Sequence, residues 1–102
     1  MGSRNVLLDA KLTDSSGNPL QGKTVKFYYK PSNTNVLNYI GSSTTDSTGR
    51  ALITVTVQTP GTYDFEAIFE GDDQYDIASA EVTNYTVKDL AKITLNVYPQ
   101  SQ

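Results

Sequence analysis

Alternation of apolar and polar side chains with a period of two is the feature that most constrains the fold of this chain. It is clearest in residues 50–58, where every second side chain from Ala51 to Val57 is apolar and Thr54 and Thr56 have the other parity. Successive side chains of a strand point to opposite faces, so this pattern predicts a strand with one buried face. Residues 51–58 carry no charge and would promote aggregation on an exposed edge, so we expect this segment to be paired on at least one side.

The same alternation recurs in six other segments. They predict strands at residues 5–13, 24–30, 36–45, 63–70, 78–87 and 92–98. The side chains predicted to fill the space between the sheets include Val25, Phe27, Phe65 and Phe69. Within 78–87 the apolar residues change parity, which predicts a β-bulge near Thr83 or Asn84.

Clusters of Gly, Pro, Asp and Ser separate these segments. Residues 46–49 have Asp first and Gly fourth, which is typical of a type I turn, and Pro60-Gly61 also turns the chain. No segment offers the helix that a parallel crossover needs. Strands at turn spacings of roughly 8–12 residues favour an antiparallel sandwich with Greek-key connections, and a small barrel is the alternative.

Composition excludes several classes of function. The 102 residues include no Cys, His or Trp, and 8 basic against 11 acidic residues give a net charge of −3. Ser-His-Asp triads, Cys-His pairs and ordinary zinc, haem or iron–sulfur sites are therefore excluded, and no cofactor is expected. The acidic balance argues against nucleic-acid binding, and no apolar run approaches the roughly 20 residues of a membrane span.

Three segments resemble a known family when taken together. Residues 12–27 (LTDSSGNPLQGKTVKF), 44–51 (TTDSTGRA) and 60–75 (PGTYDFEAIFEGDDQY) occur in the order and at the distances found there. They resemble the bacterial and archaeal immunoglobulin-like (Big-type) repeats of cell-surface, adhesin-like proteins. The resemblance implies an all-β, immunoglobulin-like antiparallel sandwich of about seven strands.

The resemblance also implies a function and a location. We expect a non-catalytic spacer or stalk repeat of an extracellular surface protein, with neighbouring repeats of the parent chain as its partners. The alternative is an adhesive binding module that recognises a glycan or a protein through its loops. A monomer is expected, and a strand-swapped dimer is the alternative state.

The domain boundaries differ from those of the repeats that the chain resembles. We interpret residues 1–4 as a cloning remnant or disordered start and residues 5–98 as one domain. Repeats of this family usually open with a short strand that resembles residues 93–99, placed ahead of the strand seen here at 6–13. Residues 89–102 are therefore either the first strand of a next repeat or a strand that folds back into the first position, and we favour the fold-back.

Tyr63 is a candidate structural residue. In immunoglobulin folds, a tyrosine two residues before the core cysteine of strand F makes a corner hydrogen bond. Phe65 would occupy that cysteine position here, so packing must replace the inter-sheet disulfide.

The acidic residues suggest one weak candidate site. Residues 70–76 carry four carboxylates, and Asp72, Asp73 and Asp76 are possible calcium ligands because calcium prefers oxygen donors. A solvated acidic loop is the simpler interpretation, since the spacing does not match an EF-hand. Asp64 is predicted to face outward on its strand, which argues against a catalytic carboxylate pair.

Two surface features complete the candidates. Asn84-Tyr85-Thr86 matches the N-glycosylation acceptor pattern. Tyr28, Tyr39 and Tyr98 are candidates for a carbohydrate-stacking platform. The simpler interpretation, which we favour, is that these tyrosines cover sheet edges and repeat junctions.

Overall fold

The structure, a computed structural model, describes residues 4–100, and within them the chain forms six strands. Their bounds are β1 Arg4–Lys11, β2 Thr24–Pro31, β3 Asn38–Thr44, β4 Arg50–Val57, β5 Gly61–Phe69 and β6 Ala78–Val87. Residues 1–3, most of the segment interpreted as a remnant, lie outside the described residues. Arg4 is the first residue of β1.

The strands form two antiparallel sheets of unequal size. One sheet has the order β1–β4 and the other has the order β3–β2–β5–β6. Val55 and Val57 of the first sheet share a buried cluster with Tyr63, Phe65 and Val87 of the second, so the sheets pack face to face. The predicted all-β antiparallel sandwich is confirmed, and the barrel alternative is wrong.

The change of parity in β6 is a bulge, as predicted. Tyr63 pairs with Tyr85 but Phe65 pairs with Val82, so Asp64 alone lies opposite two residues of β6. Asn84 takes a positive φ of 56°, the left-handed conformation that asparagine tolerates better than most residues. The bulge lets both halves of β6 keep their apolar side chains on the inner face of the sheet.

The seventh predicted strand, residues 92–98, is not formed. Residues 88–100, which we call the tail, belong to neither sheet, and Ile93 and Leu95 are 94% and 85% exposed. The described structure is consequently elongated, with extents of 81 × 32 × 20 Å. A period of two identifies a segment that can pair but not its partner, so the pattern could not show whether the tail folds back. In this structure it does not.

Candidate functional site

Tyr63 stands at the start of β5, immediately after the turn from β4. Its hydroxyl donates a hydrogen bond to the carbonyl oxygen of Thr59, four residues upstream. Its ring is buried and lies 6.2 Å from the ring of Tyr29 and 6.5 Å from the ring of Phe65, measured between centroids. The side chain thus ties the β4–β5 turn to the core between the sheets.

The apolar residues singled out in the sequence lie in the interior. Phe27 is the most enclosed of them at 1% exposed, and Val25, Phe65 and Phe69 are also buried. Phe65 lies two residues after Tyr63 in the core, and its ring packs edge-to-face with the ring of Tyr85, with 5.9 Å between the centroids. No cysteine exists in the chain, so stability here comes from packing of aromatic and β-branched side chains.

Asp64 does not face solvent, contrary to the prediction, and is only 9% exposed. Its Oδ1 atom accepts a hydrogen bond from the backbone N–H of Asn84 at 2.9 Å and another from the hydroxyl of Ser32 at 2.8 Å. The ammonium of Lys30 lies 3.8 Å from Oδ2. The carboxylate therefore joins the β6 bulge to the loop after β2.

These contacts lower the pKa of Asp64 below its ordinary value of 3.8. The hydrogen bond from the Asn84 N–H is the largest cause, followed by the bond from Ser32, while partial burial opposes both. A carboxyl whose folded pKa is depressed stabilises the fold above its unfolded pKa, and that contribution is lost as the pH falls through the folded value.

We expect Asp64→Ala to lower the melting temperature at pH 7 by several degrees, because the N–H of Asn84 loses its acceptor. Asp64→Asn should have a smaller effect, since an amide oxygen can still accept. Asp73→Asn, which removes the same charge from an exposed loop position, is the matched control and should leave melting unchanged.

The difference between wild type and Asp64→Asn should shrink as the pH falls from about 4, where the carboxyl of the unfolded chain begins to bind a proton, through the lower pKa of the folded state. Thermal melting followed by circular dichroism at several pH values measures this. A difference that stayed constant down to pH 2 would contradict the assigned role of the charge.

The acidic loop 70–76 is organised around Asp72. Its Oδ1 accepts the backbone N–H groups of Gln74 and Tyr75, and its Oδ2 is 2.5 Å from the ammonium of Lys23. The hydrogen bond from Lys23 and the two from the backbone lower the pKa of Asp72 to about 2. The Lys23 ammonium also lies 5.5 Å from the centre of the Tyr75 ring.

This arrangement does not gather the three calcium candidates. In residues 4–100, no group of three or more acidic side chains is placed to share a metal ion. Asp72 has both oxygens engaged, and Asp76 Oδ1 contacts the N–H of Ile77 at 3.3 Å. Asp73 remains an exposed residue of the loop. Calcium binding by Asp72, Asp73 and Asp76 stays a prediction.

Two other turns use a carboxylate in the same way. Asp14 Oδ1 accepts the N–H groups of Ser16 and Asn18, both at 2.9 Å. Asp46 Oδ1 accepts the N–H of Thr48 at 2.8 Å, and the predicted turn is closed by the N–H of Gly49 at 2.9 Å from the Asp46 carbonyl. The hydrogen bonds to each carboxylate lower its pKa.

Two of the three tyrosines predicted for a platform are neighbours. The Tyr28 and Tyr39 rings lie 5.4 Å apart between centroids on adjacent strands, tilted by 57°. Across the sheet the same row continues with Glu66, opposite Tyr28, and Glu81, opposite Glu66. Tyr98 lies in the tail and is not part of this row. Asn84, the glycosylation candidate, is exposed at the bulge.

Sequence reasoning missed an open apolar groove of about 410 Å³ between the two sheets. We call it the edge groove. Its walls are the inward side chains of β1 (Val6, Leu8, Ala10), of β5 and β2 (Phe65, Ala67, Phe27) and of β6 (Ala80, Val82, Tyr85). It exists because the sheet of two strands covers only part of the sheet of four, which leaves Val82 58% exposed. The signal in the sequence was the small side chain of Ala80.

Comparison with known proteins identifies the type of domain. The family model "Bacterial Ig-like domain (group 1)" matches residues 2–89, which include all six strands. The chain belongs to this family of bacterial Ig-like domains. The resemblance stated from the sequence is therefore confirmed. No curated protein and no solved structure matches the chain significantly.

Family membership gives this Ig-like domain a general setting. Bacterial Ig-like domains of this kind are typically found in surface or extracellular proteins and are generally non-catalytic. No helix in the part of the chain that the structure describes is long and apolar enough to cross a membrane. The match ends at residue 89 and thus leaves out most of the tail.

Proposed function

We propose that this Ig-like domain is a structural spacer or stalk repeat of an extracellular surface protein. In this role it links neighbouring repeats of the parent chain and performs no catalysis. It requires no cofactor and contacts neither nucleic acid nor the interior of a membrane. Membership of a family typical of surface proteins supports the extracellular location. The hydrogen bonds that its carboxylates accept support the structural role.

The observation that carries the proposal is that four carboxylates, three of them in turns or loops, are used to build structure. Asp14, Asp46 and Asp72 each accept backbone N–H groups of their own turn, and Asp64 joins a bulge to a loop. A ligand-binding or catalytic loop would instead present such groups to solvent in a shared cleft. Carboxylates that hold turns make the ends of the sandwich rigid, which suits a spacer.

Backbone dynamics test this role. NMR relaxation should give order parameters of about 0.85 in residues 14–18, 46–49 and 72–75, equal to those of the strands. Asp46→Asn, which weakens a turn, should lower the order parameters of residues 46–49, while Asp73→Asn should change none. Order parameters below about 0.6 in these turns of the wild-type protein would contradict the rigid-spacer role.

A glycan-binding module is the second candidate, favoured by the row of Tyr28, Tyr39, Glu66 and Glu81. Aromatic rings beside carboxylates can stack on sugars and accept their hydroxyl hydrogen bonds. The 57° tilt between the rings speaks against it, because the rings do not form one flat stacking surface. Titration with soluble polysaccharides separates the candidates: a spacer shows no chemical-shift change at these four residues, and a binder shows saturable changes that Tyr39→Ala removes.

A further inference from the structure

One edge of β1 is open. In residues 4–100, β1 pairs with β4 on one side and with no strand on the other, so a row of backbone N–H and C=O groups faces outward there. The edge groove lies directly beside it, lined by Val6, Leu8 and Ala10 of β1 and by Ala80 and Val82 of β6. An additional strand along β1 would satisfy the backbone groups and cover the apolar walls together.

The tail has the properties that this position requires. Ile93, Leu95 and Val97 alternate with Thr94 and Asn96, so an extended tail presents three apolar side chains on one face. Their spacing equals that of Val6, Leu8 and Ala10 on β1. All three are at least 85% exposed, and no other described element covers them. The groove and the tail are thus two complementary apolar surfaces of the same chain.

The relative directions of β1 and β6 determine whether the tail of the same chain or that of another copy can bind the edge groove. Arg4 pairs with Val57, Gly61 pairs with Val87, and only a short turn joins Val57 to Gly61, so β1 begins where β6 ends. The 2.5 Å ion pair between Arg4 and Asp89 closes this end. To reach its own groove, the tail would have to reverse at once and run parallel to β1.

A tail from another copy is not constrained in this way. It can enter at the Lys11 end and run antiparallel to β1, the pairing that is slightly more stable per residue and more common. The tail also points away from its own sandwich, as the 81 Å extent shows, and is therefore available to a neighbour.

We propose that residues 92–98 of one copy bind the edge groove of a second copy as an antiparallel strand beside β1. Each copy then donates its tail at one end and accepts a tail along its edge groove, so the contact is head-to-tail and can continue into open chains. Self-association through the tail does not depend on whether the domain serves as a spacer. The sequence led us to expect a monomer, with a strand-swapped dimer as the alternative state. The proposed contact differs from the monomer and, unlike a closed dimer, can continue from copy to copy.

Sedimentation of the 102-residue chain over a wide concentration range tests the association. The weight-average mass should rise steadily above that of a monomer, in the micromolar to millimolar range typical of small interfaces. Leu95→Asp should weaken association about tenfold or more, because it places a charge in an apolar groove. Asn96→Asp adds the same charge on the opposite face of the tail and should weaken association much less. A chain that stays monomeric at millimolar concentration overturns the proposal, and so does an equal effect of the two variants.

Disulfide trapping locates the contact, since the natural chain has no cysteine. Leu7→Cys lies on the exposed face of β1, and Thr94→Cys or Asn96→Cys lies on the matching face of the tail. We expect oxidised mixtures of ¹⁵N-labelled Leu7→Cys with unlabelled Thr94→Cys or Asn96→Cys to give mixed dimers, identified by mass. Asn96 is opposite Leu7 in the antiparallel register that places all three apolar tail residues opposite Val6, Leu8 and Ala10, and Thr94 is opposite Leu7 in a register shifted by two residues.

Leu7→Cys mixed with Gln74→Cys, an exposed loop position, measures random collision. Mixed dimers no more abundant than in this control would overturn the proposal. The double variant Leu7→Cys/Asn96→Cys tests whether the tail binds the edge groove of its own chain instead. If it closes efficiently within one chain in dilute solution while the wild type stays monomeric, the tail occupies its own groove and the second-copy proposal is wrong.

Discussion

Replacing Phe27 with alanine is expected to destabilise the domain by about 3–5 kcal/mol, the range measured for deletion of a buried phenylalanine ring. Phe27 is 1% exposed and lies on β2, which has β3 on one side and β5 on the other. It shares a cluster with Val25 and Ala51, against which side chains from four strands pack. Because these neighbours belong to both sheets, the cavity cannot close by the movement of one strand.

A loss of this size corresponds to a fall in melting temperature of about 20 °C in a domain of this length. Urea unfolding followed by circular dichroism measures the free energy directly. Phe27→Leu, which keeps most of the apolar volume, should cost only about 1–2 kcal/mol. Equal losses for the two variants would mean that the ring volume is not what stabilises the contact between the sheets.

The second large effect is expected at Gly49, the last residue of the turn before β4. Its φ is +80°, and a Cβ atom built there would lie 2.5 Å from the carbonyl oxygen of Leu12 and 3.0 Å from the Cβ of Pro19. That carbonyl cannot simply move, because it accepts the N–H of Leu20, while the N–H of Leu12 donates to Gly49 itself at 2.8 Å. We expect Gly49→Ala to cost about 3 kcal/mol or more, from left-handed strain plus this backbone contact.

Gly17 provides the matched control for Gly49. Its φ of +89° is similar, but a Cβ atom there meets nothing within 4 Å. Gly17→Ala should therefore show only the left-handed strain, about 1 kcal/mol. The difference between the two variants in thermal or urea unfolding isolates the contact with Leu12 and Pro19. If both alanines cost the same, the Cβ contact has no energetic effect.

Local patterns in the sequence predicted most of the fold. Alternation located the strands, because side chains of a strand that faces a core must repeat every two residues. The change of parity between Val82 and Tyr85 predicted the bulge, because the inner face of β6 has to stay apolar on both sides of it. The Asp46–Gly49 turn followed from residue preferences that act over four positions.

Two features could not be predicted because they depend on distant residues. Asp64 has outward parity on β5 and is buried only because the Asn84 N–H and the Ser32 hydroxyl, far away in the sequence, converge on it. The tail alternates like any other strand, yet within residues 4–100 it pairs with no strand. The parity of a residue along a strand indicates the face of the strand on which its side chain lies. Burial and pairing depend on which distant residues the fold places against that face.

The position of Arg4 beside Lys88 determines how the domain responds to mechanical tension. A force that separates these two residues acts at one end of the sandwich and peels strands away, so that ladder bonds break one after another. A tail lying antiparallel in the edge groove of a neighbour would instead be pulled along its own axis. Its ladder bonds are perpendicular to that axis and would be loaded in shear, all at once. In a chain of copies joined in this way, the contact between each tail and the next edge groove would resist stretching better than a single copy pulled apart at Arg4 and Lys88.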